Sequence, residues 1–141
     1  MARLHVLTGT QAYLDLANTI LEEWQIPPCG DYFRNALKNQ PFWKGAQPRW
    51  EGLMGICSLA ELYWITGNQQ YSTAYQQIWW SLCETERHNH GGIMSAEQAS
   101  GSPYNTGSVE TCCTITWAAM CVEMLKLTGS SVVADELELS M

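Results

Sequence analysis

Positive charge is scarce in this chain: seven Lys and Arg face fourteen Asp and Glu, for a net charge of −7. A surface that tracks phosphates needs a basic stripe, so neither nucleic acid nor an anionic membrane is an expected partner. Long apolar runs are also missing. Residues 1–7 carry Arg3 and His5 and make neither a signal peptide nor a membrane span, so the expected compartment is the cytoplasm. The six cysteines, at 29, 57, 83, 112, 113 and 121, include no Cys-x-x-Cys pair. Without a secretory signal they read as free thiols rather than a disulfide framework. Phenylalanine is nearly absent, with two residues against seven Trp and six Tyr. Such amphipathic rings stack on sugar faces in carbohydrate clefts, while the competing reading puts Trp64, Trp79 and Trp117 in helix cores.

What the chain does have is an internal repeat. Leu7-Thr8-Gly9, Ile65-Thr66-Gly67 and Leu127-Thr128-Gly129 each end an apolar helical run, with the glycines 58 and 62 residues apart. Five residues before each glycine stands Leu4, Leu62 or Met124, and four after it Tyr13, Tyr71 or Val133. A glycine at that point is a helix C-cap, and the next helix starts at once. The fold class expected is therefore all-α: helical hairpins in one domain spanning 1–141, a length that buries a sizeable core without disulfides or metal.

Along the chain, Thr10 caps a helix running to about Gln25, and Ile26-Pro-Pro-Cys-Gly breaks it. A short helix is expected from about Asp31 to Lys38, followed by the irregular aromatic stretch Pro41-Phe-Trp-Lys-Gly. Pro48 suits the first turn of a helix reaching Thr66, and Asn68 opens one that runs to about Glu84. The connection 86–107, with short strands expected near Ile93 and Met94, is long enough to suggest a functional loop. A nearly all-round apolar helix is expected over Ser108–Thr128 and a last one from Ser131 to Ser140.

Chemistry-capable residues crowd around that loop. Glu97 and Glu110 bracket it, and Cys112 and Cys113 follow on the first turns of the next helix. Paired carboxylates and thiols fit acid–base chemistry or a metal, while a polar crossover leading into a core helix is the plainer reading. Consecutive helical residues point about 100° apart, which predicts that Cys113 packs in the core while Cys112 faces the site. His88 and His90 read either as ligand-binding or as a solvated pair. Arg49, Trp50 and Glu51 line a cleft in one reading; in the other, Glu51 only complements a helix dipole.

The run Gly91-Gly-Ile-Met-Ser-Ala-Glu97, then Glu110-Thr111-Cys112 leading into Leu125-Lys-Leu-Thr-Gly129 with Ala134-Asp135, resembles the β-L-arabinofuranosidases of glycoside hydrolase family 127. The Arg49-Trp-Glu-Gly-Leu segment and the Thr-Gly hairpin ends belong to the same resemblance. It implies part, about half, of an (α/α)6 toroid, twelve helices in six hairpins with the site in the loops at one end. Glu97 then matches the general acid/base, and Glu110 and Cys112 match two zinc ligands. Glu110 is also expected to share in catalysis, and Arg49, Trp50, His88 and His90 to bind substrate. The family's cysteine nucleophile and remaining zinc ligand lie on a segment beyond the Glu-Thr-Cys helix, which this sequence does not reach. The zinc site is thus expected to be incomplete, and the chain to be a piece of a glycoside hydrolase-like protein, inactive alone, that takes a small carbohydrate. The alternative is a non-catalytic helical module that binds carbohydrate or protein. Apolar faces left open by a partial ring predict a homodimer.

Overall fold

The computed structural model describes the chain from Met1 to Met141 except residues 27, 28, 47, 49, 96 and 105 and the side chains of Met94 and Ser95. Seven α-helices are described: α1 (Ala2–Thr8), α2 (Gln11–Glu23), α3 (Tyr32–Leu37), α4 (Gly52–Thr66), α5 (Gln69–Thr85), α6 (Thr111–Thr128) and α7 (Ser131–Leu139). One 3-10 turn spans Phe42–Lys44, and a minimal antiparallel pair joins β1 (Met94–Ser95) to β2 (Ser108–Val109).

The three Thr-Gly elements close α1, α4 and α6 in the same way. Gly9, Gly67 and Gly129 sit in the left-handed region at φ 69°, 69° and 63° and donate their N–H groups to His5, Tyr63 and Leu125. Each threonine hydroxyl donates back to the carbonyl four residues earlier, on Leu4, Leu62 or Met124, at 2.7, 2.7 and 2.8 Å. The same oxygen accepts the N–H two residues on, from Thr10, Asn68 or Ser130, at 3.2 Å in all three cases. The threonine thus adds a second donor to a carbonyl in the last turn of one helix and accepts an orphan N–H at the start of the next, and the chain reverses between them. This is why α1–α2, α4–α5 and α6–α7 are hairpins.

Helix α4 packs against α1, α5 and α6, while α3 lies on α5 and α7 on α6. Leu53, Ile56, Leu59 and Leu62 of α4 meet Tyr75, Trp79 and Leu82 of α5 and Trp117, Met120 and Met124 of α6 in the core. Trp79 stacks on Trp117 at 5.1 Å, and the Tyr75 hydroxyl donates to the Met120 carbonyl at 2.8 Å. A second seam of rings, Trp24, Tyr32, Phe42 and Trp50, joins the end of α2, α3 and the 3-10 turn to the approach to α4. Gly55 makes room for it, since a Cβ there would lie 2.2 Å from the Trp24 ring.

Several expectations need correction. Trp64 is 54% exposed whereas Trp79 and Trp117 are fully buried, because α4 is apolar on all sides and Trp64 falls on its outer face. Pro48 precedes a turn, and α4 starts at Gly52. The helix expected from Ser108 starts at Thr111, because Ser108 and Val109 pair with β1 and extended backbone at Glu110 makes that residue the N-cap. Helix α2 stops at Glu23 rather than Gln25, and its N-cap Thr10 makes no side-chain cap bond.

Replacing Thr66 with Val keeps the shape and removes both hydroxyl bonds, so stability should fall by about 1–2 kcal/mol, measured by chemical denaturation. Thr8→Val, at the end of the exposed α1, should cost less. An unchanged midpoint in T66V would show the cap to be inert.

Candidate active site

The site is built on a loop held at four points. Glu86, at the end of α5, is buried and accepts the N–H groups of Ser100 at 3.1 Å and Gly101 at 2.6 Å. Burial raises its pKa above the carboxylate norm, and those two N–H groups work against the rise. Gly101, at φ 74°, sits so close to the Trp43 ring that a Cβ would come within 2.5 Å of it. Ala99 donates its N–H to the Pro48 carbonyl at 2.8 Å. The start of the loop is fastened to α7 and its C-cap: Arg87 pairs with Glu136 at 2.6 Å, and the Ser140 hydroxyl donates to the Gly91 carbonyl at 3.0 Å. Gly91 abuts the Leu139 carbonyl, where a Cβ would lie 2.3 Å from that oxygen.

Against this frame the first turns of α4 and α6 open a cavity of about 410 Å³, lined by Trp50, Glu51, Met54, Glu97, Glu110, Cys112, Cys113 and Thr116. Glu97 reaches it from the loop with its backbone at φ 61°, a conformation uncommon for a residue with a side chain and frequent at functional positions. Glu110 reaches it as the N-cap of α6. The Cys112 thiol donates to Glu110 Oε2 at 3.1 Å, and the Cys113 sulfur lies 3.9 Å from that oxygen and 4.0 Å from Cys112 Sγ. Burial pushes the Cys113 thiol up to about 12, with further contributions from Cys112, Glu110 and Glu51.

The donors fit zinc. Ligand atoms of Glu110, Cys112 and Cys113 lie within 4.8 Å of one another, the one such group among the described residues. A tetrahedral ion with thiolate bonds of about 2.3 Å holds its sulfurs about 3.8 Å apart, close to the separation seen. Bound zinc would supply a fixed positive charge that keeps its thiol ligands deprotonated.

Of the residues singled out in the sequence, Trp50, Glu97, Glu110 and Cys112 come together here, with Trp50 almost wholly buried. Cys113 packs in the core as expected, while Cys112 is exposed; the Cys113 sulfur also borders the cavity, 3.9 Å from Glu110 Oε2. The structure does not bring His88 and His90 into the cavity. Their rings stack on each other at 5.3 Å, and His88 lines a separate hollow with Cys83, Glu84 and Arg87. Arg49 lies outside the described residues. Sequence reasoning missed Met54, Thr116 and the loop anchor Glu86; a lone glutamate at the end of a helix carries no signal that distinguishes it from a solvated one.

Helical hairpins that gather carboxylates and thiols at the N-terminal ends of α4 and α6 define an all-α protein whose chemistry-capable side chains lie at one end of its helical layer. A model of the catalytic domain of β-L-arabinofuranosidases of family GH127 matches residues 1–141, and the chain belongs to that family. The crystal structure of Ara127N-Se, a GH127 β-L-arabinofuranosidase from Geobacillus stearothermophilus T6, shares the fold with a TM-score of 0.74 at 21% identity. The match covers 97% of this chain and 26% of that one, so the chain spans about a quarter of that enzyme's length. No curated protein matches.

Glu86→Ala leaves the amides of Ser100 and Gly101 without their acceptor. We expect faster hydrogen exchange in residues 97–101 and a stability loss of about 3 kcal/mol at neutral pH. The raised pKa means that the folded chain keeps this proton at a pH where the unfolded chain has released it. The wild-type contribution should therefore fall as pH rises from the ordinary carboxylate value through the raised one, a slope absent from the variant. Unchanged exchange at residues 97–101 would show that Glu86 does not hold the loop.

Proposed function

We propose that the cavity is the acid/base and metal portion of a β-L-arabinofuranosidase-type site, with Glu97 as the proton donor to the glycosidic oxygen and Glu110 and Cys112 as zinc ligands. The observation that carries this reading is the convergence on one cavity of a loop carboxylate, Glu97, with the N-cap carboxylate and thiol of α6. A general acid must stand within hydrogen-bond reach of the leaving oxygen, and a loop pinned at several points can hold a carboxyl there. Trp50 and Met54 give the cavity an apolar wall beside its polar one, as suits a sugar ring with one carbon-rich face. The ligand this site would take is a furanoside, with Glu97 facing its leaving oxygen.

The test is binding of methyl β-L-arabinofuranoside to zinc-loaded protein, followed by saturation-transfer NMR. Transfer to the sugar should be seen in the wild type and reduced severalfold in Glu97→Ala. Absence of transfer in the wild type would overturn the carbohydrate reading.

A second reading, a homodimeric interaction module, is favoured by the open faces of α1, α4 and α6. Val6, Leu7, Met54, Trp64 and Ile115 are each more than half exposed, and Val6, Trp64 and Ile65 border a groove of about 610 Å³. Helices apolar on all sides normally lie buried on all sides. We expect sedimentation at low micromolar concentration to show a dimer that Trp64→Glu converts to monomer. A single wild-type species at the mass of one chain would rule it out.

A further inference from the structure

The family resemblance supplies two zinc ligands from this stretch, Glu110 and Cys112. The structure places a third donor beside them. Cys113 is only 5% exposed, yet it lines the same cavity, and its sulfur lies 4.0 Å from Cys112 Sγ and 3.9 Å from Glu110 Oε2. With Cys112 Sγ 3.1 Å from the same oxygen, the three atoms form a triangle whose edges are close to one face of a thiolate-rich tetrahedron.

Local backbone geometry makes this triangle. Glu110 is extended at φ −98° and ψ 135°, so its carboxylate folds across the helix end. Cys112 and Cys113 follow in the first turn, where the N–H groups not yet paired within the helix, and the positive end of its dipole, favour negatively charged ligands. The Thr116 hydroxyl donates to the Cys112 carbonyl at 2.9 Å, and that of Thr114 to the Glu110 carbonyl at 3.2 Å, which fixes the turn that bears the donors.

We infer that Cys113 is a third ligand, beside Glu110 and Cys112, for a thiophilic divalent cation such as zinc. The inference rests on the metal-site reading of the cavity and extends it by one donor from the same helical turn. Binding converts two thiols to thiolates and releases two protons to solvent, with no change in oxidation state. Three protein donors leave a fourth position open, as in catalytic rather than structural zinc sites, and Glu51 and Glu97 line the same cavity.

Cobalt(II) titration of the reduced, metal-free chain tests this, because each thiolate bound to cobalt adds sulfur-to-metal charge-transfer absorption. One equivalent should bind with a tetrahedral spectrum, and zinc should bleach it. Cys113→Ala should keep about half of the charge-transfer intensity and bind at least about tenfold more weakly. Cys29→Ala, at an exposed thiol outside the cavity, should leave the spectrum unchanged. Circular dichroism checks that the variants fold. In the unaltered chain, saturating zinc should shield both Cys112 and Cys113 from alkylation, read by peptide mass spectrometry, so the idea stays testable if C113A does not fold. A C113A spectrum like the wild type's, or alkylation of Cys113 in the zinc-loaded chain, would remove Cys113 as a ligand and leave the two-ligand reading standing. No cobalt spectrum in the wild type would overturn the chelate and the metal site together, while the furanoside-binding measurement would still judge the carbohydrate reading.

Discussion

The fold depends on one small hydrogen-bonding device used three times. A threonine hydroxyl gives its proton to the carbonyl of the turn before it and takes one from the amide of the helix after it, while the neighbouring glycine supplies the left-handed backbone that lets the chain reverse. Replacing the glycine with any other residue brings a Cβ into a region that L side chains avoid, and replacing the threonine leaves the first N–H of the next helix without its acceptor. With all three in place, α1, α4 and α6 stop in the same manner and their partners start in register. The shared core of α4, α5 and α6 can then close around Trp79 and Trp117.

The site depends on a different kind of restraint. The connection from Glu86 to Gly107 contains little regular structure, and it is tied down by polar anchors and close backbone approaches. The buried carboxylate of Glu86 binds two loop amides, the Pro48 carbonyl takes a third, and the last helix fastens the near end through Arg87, Glu136 and Ser140. Burying a carboxylate is costly unless several donors meet it, and these donors do so where the loop must be kept still for Glu97 to face the first turn of α6. The left-handed backbone of Glu97 is consistent with a conformation imposed by its surroundings.

The hairpins were legible in the sequence because they follow from local rules: a Thr-Gly pair after an apolar run, a helical stripe, a break at paired prolines. Glu97, Glu110 and Cys112 could be picked out because they stand in a motif. What escaped was set by tertiary contact or by single-bond geometry. Nothing local distinguishes Glu86 from the exposed Glu84 two residues earlier, since only the returning loop makes it a buried acceptor. The strand at Ser108 and Val109 exists because β1 lies opposite, so a helical stripe read forward from Ser108 overshot it. Counting 100° per residue separated buried Cys113 from exposed Cys112, but gave no sign that their sulfurs would lie 3.9 and 3.1 Å from one oxygen of Glu110. Trp64 looked like Trp79 in the stripe and differs from it only in which side of α4 has a neighbour.

The caps and the cavity occupy opposite ends of the same helices. Glycine ends close α4 and α6 at their C-termini, whereas Glu51, Met54, Glu110, Cys112 and Cys113 gather at their N-termini, some 22 Å away along the 15 residues of α4. Residues that dictate how the chain turns and residues that do chemistry are therefore different residues in different places. Exchanges in the loop can retune what the cavity accepts without disturbing the turns, and a family built this way can diversify its ligands while its architecture stays constant.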